Sequence, residues 1–412
     1  MRKIEKFAKK HKIKFVEVAF LDLMAETRQI TIPVSRLSSC LKTGLKCDGS
    51  SINCTANIEN SDTRLCLDEN SFYLLPNNKM LVYCFTDNVY DARKNLFDVQ
   101  QSLCKNKLSI NFGAEVEFFL FKKNNNYSTG FKKFGYQSVD FENIDNLRYL
   151  NSSNSDHESC LTEIADFCKD KINLEAIHHE CANNQYEIDF KYDNPLKTAD
   201  NIVFVKRVIK YFANKHNLVA CFMPKPINNT SGSGMHINMS VFKNNKNLFY
   251  DKCDKNNLSE FAYCYMQNIF NHICAITAFT NPIVNSYKRL NGGFEAPTNI
   301  EYSSSNRSVL MRIPKATPKT TRLELRSPDV ACNPYLAFLA ILIAGFENDC
   351  KPTLCATAKN LPTNLNQAIN FLEKDDLISN IVPKSYIYQK RAEYQTFENQ
   401  VTNFDLEKYC NI

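Results

Sequence analysis

Apolar positions along the first hundred residues recur at two different periods. Ile4, Phe7 and Ala8 fall on one helical face, which predicts a helix over 1–10. KFVEVAFLDL then alternates like a strand, and RQITIPV predicts a second, ended by Pro33. KCDGSSI reads as a loop, because Asp48-Gly49 is a strong turn signal. NKMLVYCFTD predicts another apolar strand. Together these predict a small, strand-rich N-terminal domain over 1–98. In 99–412 the helical period dominates, with helices predicted over 96–107, 155–173, 199–216, 258–279, 333–348 and 365–373. Short polar strands lie between them. Tracts such as KKNNNYSTG, FKNNKN and DKCDKNN read as solvated turns, and no internal repeat is present.

Several of the predicted strands share an oddity. In FGAEVEFFLF, Glu115 and Glu117 are two apart and so share a face, opposite Ala114, Val116, Phe118 and Leu120. In TSGSGMHINMS, His236, Asn238 and Ser240 face one way, and Met235, Ile237 and Met239 the other. In TTRLELRSPD, Arg322, Glu324 and Arg326 alternate with Leu323 and Leu325. HHECANNQYEIDF reads as a hairpin whose Asn183-Asn184 turn brings Glu180 near Glu187. An ordinary sheet with one wet side explains any single strand. Gathered on one sheet, Glu115, Glu117, Glu180, Glu187 and Glu324 would repel one another without cations. With His236 they form an oxygen-rich ligand set for Mg²⁺ or Mn²⁺. The interleaved arginines suit phosphate or carboxylate. Metals with arginines and no evident protein nucleophile point to phosphoryl transfer on a sheet.

Composition narrows this little. The 412 residues exceed one ordinary core and predict two domains. A net charge of +6 over 50 basic and 44 acidic residues tolerates anionic substrates such as ATP but is no nucleic-acid footprint. The 17 cysteines include no Cys-x-x-Cys pair, so they read as free thiols in a reducing cytoplasm. The basic, then apolar N-terminus carries Glu17 and Asp22 and lacks a signal-cleavage site, and the longest apolar run, 335–346, is too short for a membrane span. The expectation is a cytoplasmic protein with neither membrane nor nucleic-acid partners.

GAEVEFFLF, HHECANNQYEIDFKYDNPLKTADNI, FMPKPINNTSGSGMHINMS, NPIVNSYKRLNGGFEAP, NRSVLMRIPKATPKTTRLELRSPDVACNPYLA and the early DGSS occur in the order seen in bacterial type I glutamine synthetases. The chain resembles that family over most of its length. The resemblance implies an α+β fold: a β-grasp-like domain over 1–98, then a catalytic domain over 99–412 with a mostly antiparallel sheet and flanking helices. It implies ATP-dependent ligation of ammonia to the γ-carboxylate of glutamate through a γ-glutamyl phosphate. Glu117, Glu180 and Glu187 match the ligands of one divalent ion. Glu115, His236 and Glu324 match those of a second, facing the ATP phosphates. By the same resemblance Arg289 would bind the α-carboxylate, Gly232 lie near the amino group, and Arg326 hold the γ-carboxylate. Arg307, Arg312 and Arg322 would surround the transferred phosphoryl group. Tyr192 and Ser240 match adenine-side positions, with Lys319 nearby. Glu295 lies on a flap over the intermediate. Asp48 would attract ammonium and take its proton, with Tyr136 in that pocket. In the family Asp48 reaches a neighbour's site, within a dodecamer of two stacked hexameric rings.

The chain departs from the family pattern at several positions. Ser231 stands where Asn is usual beside the glutamate site, and Val116 replaces a Pro. Asn57 occupies the place of a feedback-branch Arg, and no Tyr occurs between Leu336 and Ser385 to match an adenylylated one. These departures imply weak feedback by glutamine and no adenylylation. Two alternatives remain open: a γ-glutamyl ligase for another amine, and a non-catalytic relative with a structural or regulatory role.

Overall fold

In the computed structural model, residues 1–52, 54, 61–122, 149–150, 155–291, 293–347 and 359–401 are described, so Asn57 and Tyr136 lie outside the described residues. The N-terminal part runs α1 (Lys3–Lys10), β1 (Phe15–Leu21), β2 (Thr27–Pro33), α2 (Leu37–Thr43), β3 (Leu45–Asp48), β4 (Asp62–Leu74) and β5 (Met80–Thr86). Its five strands form a mixed sheet in the order β2-β1-β5-β4-β3, with β1 and β5 parallel. The segment expected to be a loop at Cys47-Asp48 is instead the end of β3, paired with β4 so that Asp48 faces Asp62. A partner strand rich in charges, DTRLCLDENSFYL, decided this, and local turn chemistry alone could not reveal it. The turn signal holds one residue later, where Gly49 opens a short 3₁₀ turn.

The larger part continues α3 (Ala92–Lys105), β6 (Leu108–Lys122), α4 (Ser155–Cys168), β7 (Leu174–His179), β8 (Gln185–Phe190), α5 (Pro195–Lys215), β9 (Leu218–Cys221), β10 (Ile237–Lys243) and β11 (Lys246–Asn247). After these come α6 (Glu260–Thr280), α7 (Val284–Leu290), β12 (Tyr302–Ser303), β13 (Met311–Arg312), β14 (Leu323–Leu325), α8 (Pro334–Gly345), α9 (Leu365–Lys374) and α10 (Lys384–Glu398). The helix starts are chemically marked. Asn194 and Asn333 each cap a helix whose first residue is a proline, and Ser259 caps α6 by accepting from Ala262 N.

The large sheet runs β12-β13-β14-β10-β6-β8-β7, with β11 beside β10 and β9 beside β6. Its pairings are antiparallel except for β12 with β13. At 15 residues β6 is long enough to pair with β8, β9 and β10 at once. Ala114, Val116, Phe118 and Leu120 are buried in the main apolar core, beneath α3 and α5. The architecture is α+β, a small domain with a five-stranded mixed sheet followed by a larger one with a nine-stranded mixed sheet and flanking helices.

Buried charge joins the two halves. Arg93 on α3 donates from Nε and NH2 to Asp200 on α5, at 2.9 and 2.8 Å. It also reaches Asp68 on β4, at 2.8 Å. Ser71 and Tyr335 donate to the same Asp200 carboxylate. Glu17, buried within β1, pairs with Lys79 and with Arg207 on α5. Removing one partner of a buried pair strands the other charge. Asp200→Ala is therefore expected to destabilise the protein by roughly 3–5 kcal/mol in urea unfolding. A loss below about 1 kcal/mol, the scale of a surface pair, would show that this network does not hold the halves together.

Candidate active site

The sheet register assembles the polar face. In β6 and β8, Glu117 stands opposite Glu187 and Glu115 opposite Asp189. Across the hairpin, His178 stands opposite Glu187. The β7–β8 turn passes through Asn184, whose positive φ of 61° suits the Asn-Asn sequence, and Glu180 and Glu187 approach as the hairpin expectation required. On the other side, Asn238 of β10 lies between Gly113 and Glu324, and Arg312 lies opposite Glu324. Met235, Ile237, Met239, Leu323 and Leu325 are buried in the core, so both strands turn their polar side chains to the site.

Two cavities meet on this face. One of about 650 Å³ is walled by the acidic residues, by Arg289, Arg307, Arg312 and Arg326, and by the loop bearing Glu295. The other, about 480 Å³, contains Tyr192, Ser240, Lys319 and Arg322 in its wall. Glu115 and Asp189 line both. The site residues named from the sequence thus line one of these two cavities, with three exceptions. Asp48 lines neither cavity and is exposed on the N-terminal sheet, its oxygens accepting from Ser50 and Ser51. That bonding holds its carboxyl below the usual range. Glu324 is 1% exposed and also lines neither cavity; its two oxygens accept from Arg312 and Arg326. Tyr136 is not among the described residues.

Two groupings in the site bring possible ligand atoms within 4.8 Å of one another: Glu115, Glu187 and His236, and His178, Glu180 and Glu187. Glu117 sits beside both, its Oε2 accepting from Gln185 Nε2 and Gly234 N at 2.9 Å each. The electrostatics expose a shortage of positive charge. Burial and the neighbouring Glu117 push the Glu180 carboxyl up to about 7, and burial pushes Glu187 well up. Burial also opposes charge on Glu115, but the His236 bond outweighs it and holds the carboxyl at about 2. Bonds to Asp189 and Glu187 raise His178 to about 11. A hard divalent cation would supply the missing charge to these oxygen donors.

The two glycines of the TSGSG turn are required by close approach. A Cβ on Gly232 would lie 2.3 Å from the Pro224 carbonyl, and one on Gly234 2.6 Å from Arg289 NH2. Arg289 is held on the site floor by the carbonyls of Arg326, Ser327 and Pro328. Sequence reasoning assigned no role to Gln185, His178 or Asp189. Gln185 ties Glu117 to the Gly232 carbonyl. The period-two rule could have found all three, since each lies two residues from a named glutamate.

Comparison with known proteins agrees with this geometry. The glutamine synthetase catalytic-domain model matches residues 89–409, and the glutamine synthetase β-grasp model matches 12–92. A glutamine synthetase from Clostridium saccharobutylicum is 36% identical over 440 residues, covering 98% of this chain and 97% of its own. One from Methanosarcina mazei is 35% identical over 441 residues, covering 98% and 96%. Among solved structures, a GmaS/ADP complex aligns with a TM-score of 0.87 at 26% identity, covering all of both chains. The Plasmodium falciparum glutamine synthetase aligns with a TM-score of 0.86 at 24% identity over 99% of each chain. With both domain models matched in order, and a polar sheet face carrying the family's motifs, this chain belongs to the glutamine synthetase family, in its type I-like branch.

Proposed function

We propose that the protein is a glutamate–ammonia ligase, which forms glutamine at the expense of ATP through a γ-glutamyl phosphate. The observation that carries this reading is the meeting of an acid- and arginine-lined cavity with a second cavity at Glu115 and Asp189. In this reading the second cavity takes ATP, with Tyr192 and Ser240 on the adenine side and Lys319 and Arg322 nearer the phosphates. Arg289 binds the glutamate α-carboxylate, Gly232 lies by its amino group, and Arg326 holds the γ-carboxylate. A γ-carboxylate oxygen attacks the terminal phosphorus and ADP leaves. Arg307, Arg312 and Arg322 balance the charge that spreads over the transferred group. Ammonium gives up a proton to Asp48, ammonia attacks the acyl carbon, and phosphate departs. Glu295 and its loop cover the acyl phosphate, which water would otherwise hydrolyse.

Glu115, Glu117, Glu180, Glu187, His236 and Glu324 would hold two Mg²⁺ or Mn²⁺ ions, which when bound offset phosphate charge. Glu324 shares that work with its arginine contacts, since both of its oxygens already accept from Arg312 and Arg326. We put the domain boundary near residue 98, within α3, a few residues past 89–92, where the two family matches overlap. We also place the protein in the cytoplasm: among the described residues the cysteines are free and no helix is long and apolar enough to cross a membrane.

A second reading, a γ-glutamyl ligase for an amine other than ammonia, is favoured by Ser231, which lines the acidic cavity beside Gly232 in place of the usual amide. Purified enzyme supplied with ATP, Mg²⁺ and glutamate decides between them. The proposed function expects ammonia to give the highest kcat/KM of an amine panel. A higher value for methylamine or a larger amine would establish the second reading, and ATP turnover with none would leave a non-catalytic relative.

His236→Ala should lower metal-dependent turnover by more than the roughly 10–100-fold lost with an outer hydrogen-bond partner of a ligand. Titration of Mg²⁺ against activity checks this, and an unchanged metal dependence would remove His236 from the ligand set.

Asp48 bears on assembly. A general base must lie within hydrogen-bond reach of its proton, and Asp48 lines neither cavity of its own chain. We infer that it serves a neighbouring subunit of a homo-oligomer, and we propose a dodecamer on the family pattern. Asp48→Ala and Glu324→Ala enzymes should each be nearly inactive, while mixed oligomers made by unfolding and reassembling them together should regain part of the activity. Native mass spectrometry verifies the mixing; verified mixed oligomers that stay inactive would refute a shared site.

A further inference from the structure

Lys225 sits behind the amino-acid side of the site, at the end of the FMPKP segment, and is 8% exposed. Its backbone is clamped to α7: Lys225 N donates to Asn285 Oδ1 at 2.8 Å, and Asn285 Nδ2 donates to the Lys225 carbonyl at 3.0 Å. Four residues on from Asn285, the same helix carries Arg289. The Lys225 ammonium donates to the Thr230 carbonyl, at the head of the turn that leads to Ser231 and Gly232. It also lies 4.5 Å from the centroid of the Phe294 ring. No carboxylate among the described residues pairs with it, and burial lowers its pKa to about 8.

The loop it touches is under backbone strain. Gly293, Phe294 and Glu295 take φ values of 75°, 56° and 64°, and the left-handed region is disfavoured for the last two. Phe294 is 41% exposed, so little burial holds it. Neither Phe294 nor Glu295 makes a hydrogen bond or ion pair with another described residue. A desolvated ammonium against a ring face attracts it more strongly than a solvated one would.

From this geometry we propose that Lys225 is a positioning residue: it fastens the Gly293–Ala296 loop to the Thr230–Gly232 turn, so that seating the amino-acid substrate and covering the site become one event. One side chain touches both the loop that brings Glu295 to the cavity and the turn that shapes its floor. A substrate that orders the turn fixes the Thr230 carbonyl, hence the ammonium, hence the ring. Loss of the ammonium frees the loop without removing any group from the cavity wall, since Lys225 does not line it.

This inference rests on the ligase reading for its kinetic test but not for its structural one. The test uses full-length enzyme carrying Lys225→Met, Lys225→Arg, Phe294→Leu or both Lys225→Met and Phe294→Leu. Phe294→Leu alters an exposed ring and keeps the test open if Lys225→Met fails to fold. The first measurement is ADP released per amide formed, with whichever amine the wild type prefers. Lys225→Met and Phe294→Leu should each raise that ratio roughly tenfold, the kinetic equivalent of one desolvated cation–ring contact. The double variant should be no worse than either single one, and Lys225→Arg should restore coupling. Hydrogen exchange at Gly293–Ala296 should quicken in Lys225→Met and in Phe294→Leu even without ligands. Unchanged exchange, or effects that add in the double variant, would overturn the tether. If the wild type forms no amide at all, the ligase reading fails while the exchange comparison still decides the role of Lys225.

Discussion

Like charges on one face of a sheet repel, and the catalytic half is built around holding them there. Glu115, Glu117, Glu187 and Asp189 occupy neighbouring positions on β6 and β8, at a spacing that would destabilise an ordinary sheet. The fold meets part of that repulsion itself. His236 and Asn238 donate to Glu115, Gln185 and a backbone amide to Glu117, and His178 lies against Glu187 and Asp189. What remains unbalanced is visible in the raised Glu180 and Glu187 carboxyls. That residue of negative charge is what suits the face to divalent cations, and the arginines around it suit it to phosphate and carboxylate groups.

Such a face survives only because the opposite one is secure. The apolar side of β6 is sealed beneath α3 and α5, so the strand cannot slip by one residue without burying its glutamates. The polar side also stops short along the strand. Past Glu117, Phe119 and Phe121 join Ala182, Cys221 and Ile227 in a small separate apolar cluster. The carboxylates are therefore confined to one stretch, bounded at one end by that cluster and at the other by the Gly113 position, where Tyr192 and Asn238 approach the backbone.

The N-terminal domain has a different relation to the site. It is fixed to the catalytic half by buried polar contacts between them, through Asp68 with Arg93, Ser71 with Asp200 and Glu17 with Arg207. Yet Asp48, exposed on its sheet, lines neither cavity of its own chain.

Much of this could be read from the chain alone. Period-two alternation placed Glu115 with Glu117, His236 with Asn238, and Arg322 with Glu324 and Arg326, because side-chain direction in a strand is a local property of the backbone. Helical spacing predicted helices over 199–216 and 333–348, and the capping Asn194 and Pro195 that start the first of them four residues earlier were not used. The family's motifs, in order, supplied the reaction class. Other features were decided by contacts distant in sequence. β4 and its pairing with β3 escaped notice because DTRLCLDENSFYL is stabilised by its neighbours rather than by its own pattern. The helix over Lys384–Glu398 buries just Tyr386, Ile387 and Lys390, too narrow a stripe to signal itself. Glu17 looked like a strand's polar position and is a buried charge, because Arg207 and Lys79 arrive from elsewhere in the chain. Lys225 gave no signal, since neither Thr230 nor Phe294 is marked as its partner by spacing. The sequence determined which side chains share a face; the tertiary structure alone decided which faces meet, because burial and pairing depend on what the rest of the chain brings to them.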